Sequence, residues 1–81
     1  MQKLEKLIPN NHHKRLEEIS LFIKNWRISE GLTQPDFSKL ADIHANSVYN
    51  IEHQKNITLL TLLNCIDATG LTLSQFFEGM E

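Results

Sequence analysis

Residues 32–56 read LTQPDFSKLADIHANSVYNIEHQKN, and this pattern predicts two short amphipathic helices joined by a tight turn. Thr33 carries a hydroxyl that can cap the backbone N–H groups at the start of the first helix, and Asp36 stands at the capping-box position three residues later. Pro35 falls in the first turn, where its missing N–H donor costs nothing. The face predicted to be buried consists of Phe37, Leu40 and Ala41.

The second helix follows after residues 42–44, which leave room only for a tight turn. Asp42 opens this turn, and aspartate is one of the few residues besides glycine that tolerates a left-handed backbone. Helical spacing then resumes, with Val48 and Ile51 facing inward. The face left free carries the small polar residues Asn46, Ser47 and Asn50. Because two helices this short cannot bury a core alone, the flanking segments must pack against them.

A longer helix precedes the pair and runs from about Asn11 or His12 to Glu30, where Gly31 supplies a left-handed stop. Residues 1–10 form a leader of uncertain structure, so that the predicted domain covers residues 11–81. The apolar stripe of this first helix is Leu16, Ile19, Ile23 and Trp26.

Two more helices follow the pair. Thr58 caps the fourth, which ends at Gly70, and Thr72 with Gln75 forms a second capping box that opens the fifth. The residues predicted to face inward are Leu59, Leu62, Leu63 and Ile66 on the fourth helix and Leu73, Phe76 and Phe77 on the fifth. The sequence therefore predicts a single all-α domain in which five helices enclose one core.

These residues resemble the lambda-repressor and Cro-like (XRE-type) helix-turn-helix family over about residues 23–77. The matching segments are Ile23 to Arg27, Gly31 to Gln34, Phe37 to Glu52, Thr58-Leu59, Leu62, Gly70 to Leu73, and Phe76-Phe77. The resemblance implies a bacterial or phage DNA-binding transcription regulator. In this family a repressor typically binds a two-fold operator on double-stranded DNA as a homodimer, with its reading helices about 34 Å apart.

Residue roles follow from the resemblance and from the chemistry of base reading, which needs short polar side chains that are held firmly. The positions implied to read bases are Ala45, Asn46, Ser47 and Asn50, and those implied to contact the DNA backbone are Gln34, Tyr49, Lys55, Asn56 and His44. The alternative is that a solvated helix face is polar in any case. Tyr49 is equally consistent with a partner surface. The resemblance implies that the Gln34 side chain bridges the DNA backbone and the recognition helix, and the alternative is an ordinary first-turn residue. Arg27 and Glu52 are implied to form a structural ion pair.

The chain departs from the family pattern at four places. Asp42 and Gln54 stand where glycines are frequent, His44 replaces a common Ser or Thr cap, and Thr69 replaces a large aliphatic residue. Charge is a further departure, because residues 24–56 contain four basic and four acidic residues and the whole chain has a net charge of −2. Since affinity for DNA backbone depends on neutralised phosphates, we expect weak non-specific binding from this segment.

Several other functions are not expected. His12 and His13 are adjacent and point to different sides of a helix, so the sequence predicts neither a metal site nor a cofactor. Cys65, the single cysteine, is interpreted as a small buried hydrophobe. Neither a nucleophile motif nor a phosphate loop is recognisable, which argues against an enzyme. The absence of a signal peptide, a disulfide and a long apolar run favours a cytoplasmic protein outside the membrane.

The alternative function is a protein-interaction module, such as an antitoxin-like protein that binds a toxin or an adaptor that binds another regulator. The neutral charge of residues 24–56 favours this alternative, whereas Gln34 and the polar face around Asn46 favour DNA. Candidates for a dimer surface are apolar residues that a five-helix core would not use, namely Phe22, Ile28, Met80, Leu4, Leu7 and Ile8.

Overall fold

The computed structural model describes the backbone of residues 2–80 and the side chains of residues 12–80. Over residues 2–80 the chain forms five helices and no strand, so the predicted all-α class holds for this part of the chain. The helices are α1 (Gln2–Ser29), α2 (Gln34–Ala41), α3 (Ala45–Glu52), α4 (Leu59–Thr69) and α5 (Leu73–Phe77). In this range no helix is both long and apolar enough to cross a membrane.

Helix α1 begins at Gln2, well before the start that the sequence predicts near Asn11, and its backbone remains helical through Pro9. It ends at Ser29, one residue before the predicted Glu30, and Gly31 has the predicted left-handed backbone, with a φ of +73° and an N–H that donates to the Ile28 carbonyl at 3.0 Å. Of the predicted stripe, Ile23 is fully buried, whereas Leu16 is 37% exposed. Residues 12–17 are all exposed, and among the described side chains of α1 burial begins at residue 18.

Helix α2 has the predicted capping box, in which the Thr33 hydroxyl accepts from the Asp36 N–H at 3.2 Å and the Asp36 carboxylate accepts from the Thr33 N–H at 3.0 Å. Asp42 ends the helix in the left-handed region, at φ 57° and ψ 50°. The prediction for Leu40 was wrong, because this side chain is 54% exposed. Ser38 is buried instead, so the buried face of α2 consists of Phe37, Ser38 and Ala41, and the Ser38 hydroxyl is satisfied by donating to the Pro35 carbonyl at 2.7 Å.

Helices α4 and α5 begin at the predicted caps, since Thr58 accepts from the Thr61 N–H and Thr72 forms a capping box with Gln75. Three inward predictions were wrong, because the following side chains are exposed to the extent given: Leu59 71%, Leu73 53% and Phe77 39%. The buried face of α4 is centred between Cys65 and Ile66, about 70° around the helix from Leu59 at 100° per residue. In α5, a helix of five residues, only Phe76 is enclosed.

All five helices contribute to the core, and its fully or nearly buried members are Ile23, Phe37, Ala41, Val48, Ile51, Cys65, Ile66 and Phe76. Cys65 is buried as predicted, and desolvation raises the pKa of its thiol to about 11. Two dimer-surface predictions were wrong, since Phe22 and Met80 pack against the core and the Phe22 and Phe76 rings lie 4.5 Å apart. Ile28 is 55% exposed, whereas the side chains of Leu4, Leu7 and Ile8 lie outside the described residues.

Candidate nucleic-acid interface

Helix α3 has one buried and one exposed side. Val48 and Ile51 face the core with exposures of 0% and 4%, and the side chain of Glu52 is 2% exposed. The residues implied to read bases lie on the remaining surface. Ala45 and Asn46 are exposed, whereas Ser47 and Asn50 are half-buried. The structure thus brings all four to the accessible part of one short helix, with the two asparagines a single turn apart.

Tyr49 and His53 form a stacked aromatic pair on the same exposed side. Their ring centroids are 3.8 Å apart with an interplanar angle of 19°, and Tyr49 is 43% exposed. His53 Nδ1 lies 2.8 Å from the Tyr49 carbonyl oxygen. Because a carbonyl can only accept, this contact assigns the ring proton to Nδ1 and leaves Nε2 as the acceptor of the neutral ring. The sequence reasoning did not include His53 among the site residues, although its separation of four residues from Tyr49 places the two on one helix face.

The two ends of α3 are formed by its flanking residues. His44 has the extended backbone of an N-cap, but its side chain makes no capping hydrogen bond, and the first turn of α3 contains no acidic residue. At the other end Gln54 has a left-handed φ of 60°, and the Lys55 N–H donates to the Asn50 carbonyl at 2.8 Å. His44, Lys55 and Asn56 are all exposed. The implied backbone contacts therefore lie immediately before and after α3.

Arg27 and Glu52 form a bidentate ion pair between α1 and the last residue of α3. Arg27 Nε donates to Glu52 Oε2 at 2.6 Å and Nη2 donates to Oε1 at 3.0 Å. Arg27 Nη1 also donates to the Leu32 carbonyl at 2.8 Å. Both side chains are largely shielded from solvent, with side-chain exposures of 12% for Arg27 and 2% for Glu52. Hydrogen bonding to Glu52 raises the pKa of Arg27 above its ordinary value, so the guanidinium stays charged.

Two further hydrogen bonds converge on Glu52. Gln34 Nε2 donates to Glu52 Oε1 at 3.1 Å, and the Ser20 hydroxyl donates to the Glu52 backbone carbonyl at 2.8 Å. Since a carboxylate only accepts, the amide nitrogen of Gln34 must face it. Gln34 therefore serves an internal network that joins α2 to α3, and only its second N–H and its Oε1 remain for a ligand. The contact of Gln34 with α3 agrees with the bridge to the recognition helix that the resemblance implies, although Glu52 was not named as the partner, and the contact of Ser20 was not predicted.

The exposed charges of residues 24–56, the segment that contains α3, sum to zero. The Arg27–Glu52 pair cancels internally, which leaves three exposed lysines and three exposed acids in residues 24–56. These are Lys24, Lys39 and Lys55, and Glu30, Asp36 and Asp42. The carboxylate of Asp36 is committed to the α2 cap, where its hydrogen bond from the Thr33 N–H lowers its pKa. Within residues 12–80, no three His, Cys, Asp or Glu residues are grouped so as to hold a metal ion.

No protein-family model matches the chain, and no curated protein or solved structure matches it.

Proposed function

We propose that this protein is a sequence-specific DNA-binding transcription regulator of the lambda-repressor and Cro-like (XRE-type) helix-turn-helix class, and that it represses by occupying a two-fold operator as a homodimer. The observation that carries the proposal is the division of α3 into two sides. Its apolar residues and Glu52 are buried, while Asn46 and Ala45 are exposed and Asn50 is half-exposed beside them. A helix anchored in this way can enter a major groove without disturbing the core.

The reading chemistry depends on the two asparagines. A carboxamide can pair with adenine in a bidentate manner, since its N–H donates to N7 while its Oδ1 accepts from the N6 amino group, and such a contact discriminates against the wrong base by about 1–3 kcal/mol. Ala45 has only a methyl group, which suits contact with a thymine methyl. We assign backbone contacts to His44, Tyr49, Lys55 and Asn56 because these exposed residues surround α3.

A selection from random-sequence duplexes at low salt tests this function. Wild type is expected to enrich one motif with two-fold symmetry, and the Asn46→Ala/Asn50→Ala variant is expected to lose that preference. Asn25→Ala is the matched control, because Asn25 is an exposed asparagine that lies on α1 and not on α3. The proposal fails if wild type enriches no motif, or if the control loses the preference to the same extent as the double variant.

A second candidate is a protein-interaction module, for example one that binds a toxin or another regulator. Two observations favour it. The exposed charges of residues 24–56 sum to zero, and the most exposed large apolar side chains within residues 12–80 are Leu59 and Leu60 at the start of α4, at 71% and 68%. Exposed apolar clusters often mark a protein contact. If wild type enriches no motif in the selection, the protein-interaction module becomes the preferred function.

A further inference from the structure

The ring of His53 is fixed against the last turn of α3. Its Nδ1 donates to the Tyr49 carbonyl oxygen at 2.8 Å, and it stacks on the Tyr49 ring with the centroids 3.8 Å apart. His53 is also the C-cap residue of α3, and its backbone N–H donates to the same carbonyl at 3.0 Å. The side chain is exposed, and its Nε2 makes no hydrogen bond within residues 12–80. One ring nitrogen is therefore occupied by the helix, and the other is available to a ligand.

The hydrogen bond at Nδ1 decides what Nε2 can do. A carbonyl only accepts, so the single ring proton of the neutral imidazole is on Nδ1, and Nε2 is then an acceptor. A phosphate oxygen of DNA also only accepts, so the neutral ring cannot bond it through Nε2. In the imidazolium both nitrogens donate. Nε2 can therefore donate to a phosphate only after the ring gains a proton, and this gain leaves the bond to Tyr49 in place.

We propose that His53 binds a phosphate of double-stranded DNA as an imidazolium, so that DNA binding takes up one proton from solution at this residue. The proposal rests on the proposed function and adds His53 to the backbone contacts assigned to Tyr49, Lys55 and Asn56, which lie within four residues of it. The exposed charges of residues 24–56 sum to zero, so a cation formed at His53 gives this segment a net positive charge. Histidine is the side chain that changes its charge between pH 5 and 8. Affinity for DNA should therefore rise as the pH falls through this range.

Charged residues of both signs lie near this end of α3. Glu52, the last residue of α3, is buried and paired with Arg27. The exposed charges on α1 within one turn of the segment bonded to Glu52, on α2, and directly after α3 are Glu17, Lys24, Asp36, Lys39 and Lys55. A neighbouring anion favours a protonated ring and a neighbouring cation opposes it. The test therefore changes His53 alone and leaves all these groups in place.

The pH dependence of DNA affinity tests the proposal. Affinities of wild type and His53→Gln for a random duplex are measured by fluorescence anisotropy at 50 mM salt between pH 8 and pH 6. Because one proton is taken up, the affinity of wild type should rise with acidification by up to about tenfold for each pH unit. Glutamine donates through its amide without titrating, so His53→Gln should lose this rise. His13→Gln is the matched control, since it removes an exposed histidine of α1 and should keep the rise.

Two further readouts separate a phosphate contact from a structural role of His53. An added phosphate contact makes the slope of log affinity against log salt steeper by about 0.9, so the slope of wild type should exceed that of its own pH 8 measurement by up to this amount at pH 6. The slope of His53→Gln should not change in this way. In NMR spectra, the ring nitrogen signals of His53 should move toward those of an imidazolium when duplex is added. Equal urea midpoints for wild type and the variants establish that all of them are folded.

The outcomes separate this proposal from the proposed function. The same rise in wild type and His53→Gln, an equal loss in His13→Gln, or no binding of wild type to duplex at any pH would overturn the proposal. An affinity of wild type that falls on acidification, but not in His53→Gln, would also overturn it, because Nε2 would then accept from a base amino group. A rise that depends on His53 without any enriched motif would support the phosphate contact and refute sequence reading. An enriched motif whose affinity ignores pH would leave the proposed function and remove this contact.

Discussion

Removing the guanidinium of Arg27 is expected to cost far more stability than removing any exposed cation of the chain. In Arg27→Met the Glu52 carboxylate, 2% exposed, loses both hydrogen bonds to Arg27, and the Leu32 carbonyl loses a third. Breaking a buried pair by deleting one partner typically costs about 3–5 kcal/mol. The Gln34 amide still donates to Glu52, so we expect a loss near the lower end, about 3 kcal/mol.

The matched control is Lys24→Met, which removes an exposed cation from the same helix and should change stability by less than about 0.5 kcal/mol. For a domain of this size, about 3 kcal/mol corresponds to a fall in Tm of roughly 12–24 °C. Urea unfolding followed by circular dichroism measures both variants, and the midpoint should fall for Arg27→Met at an unchanged m value. Equal midpoints for the two variants would refute the reasoning. The Arg27→Met/Glu52→Met variant should recover much of the loss, because it no longer strands a charge.

Three further outcomes follow from local features. Gln54→Gly should stabilise the fold by about 1 kcal/mol in urea unfolding, because glycine removes the steric cost of a left-handed φ; a destabilised variant would contradict this. The pKa of Asp36 is lowered in the folded state, so the charged carboxylate stabilises the fold at neutral pH, and this stabilisation is lost as the pH falls through the folded pKa. The difference in the free energy of unfolding between wild type and Asp36→Asn should therefore shrink below about pH 4. Cys65 has a thiol pKa of about 11 and no exposed surface, so alkylation at pH 8 should proceed only at the rate of unfolding, and rapid labelling of native protein would argue against its burial.

Helix ends were predictable from the sequence because capping is local. The Thr33–Asp36 and Thr72–Gln75 boxes and the left-handed Asp42 each depend on residues at most three positions apart. The buried seam of α3 and the burial of Cys65 followed from periodicity alone. Helical periodicity did not show how far the buried face extends to either side of a buried residue. The width and centre of that face depend on how the helix is rotated against the helices it packs on. Leu40 and Leu59 were therefore placed on the wrong side.

The exposed residues of the candidate site were predictable from the sequence, but most of the contacts that hold α3 in place were not. The polar face around Asn46 follows from helical spacing, and Arg27 with Glu52 came from the resemblance. The contact of Gln34 with Glu52 joins residues 18 positions apart, and that of Ser20 joins residues 32 apart. Such contacts are set by how three helices cross, which no local pattern encodes. The stacking of His53 on Tyr49 had a usable signal, the spacing of two aromatic rings by one helical turn.

The hydrogen bond from Ser20 to the Glu52 carbonyl gives α1 a direct hold on the main chain of α3. The last turn of α3 is therefore bound to α1 through both its backbone and the side chain of Glu52. A movement of this turn requires a movement of α1 or the loss of these hydrogen bonds. Substitutions at Ser20, which is 2% exposed, would therefore change how α3 is held while every outward side chain stays the same.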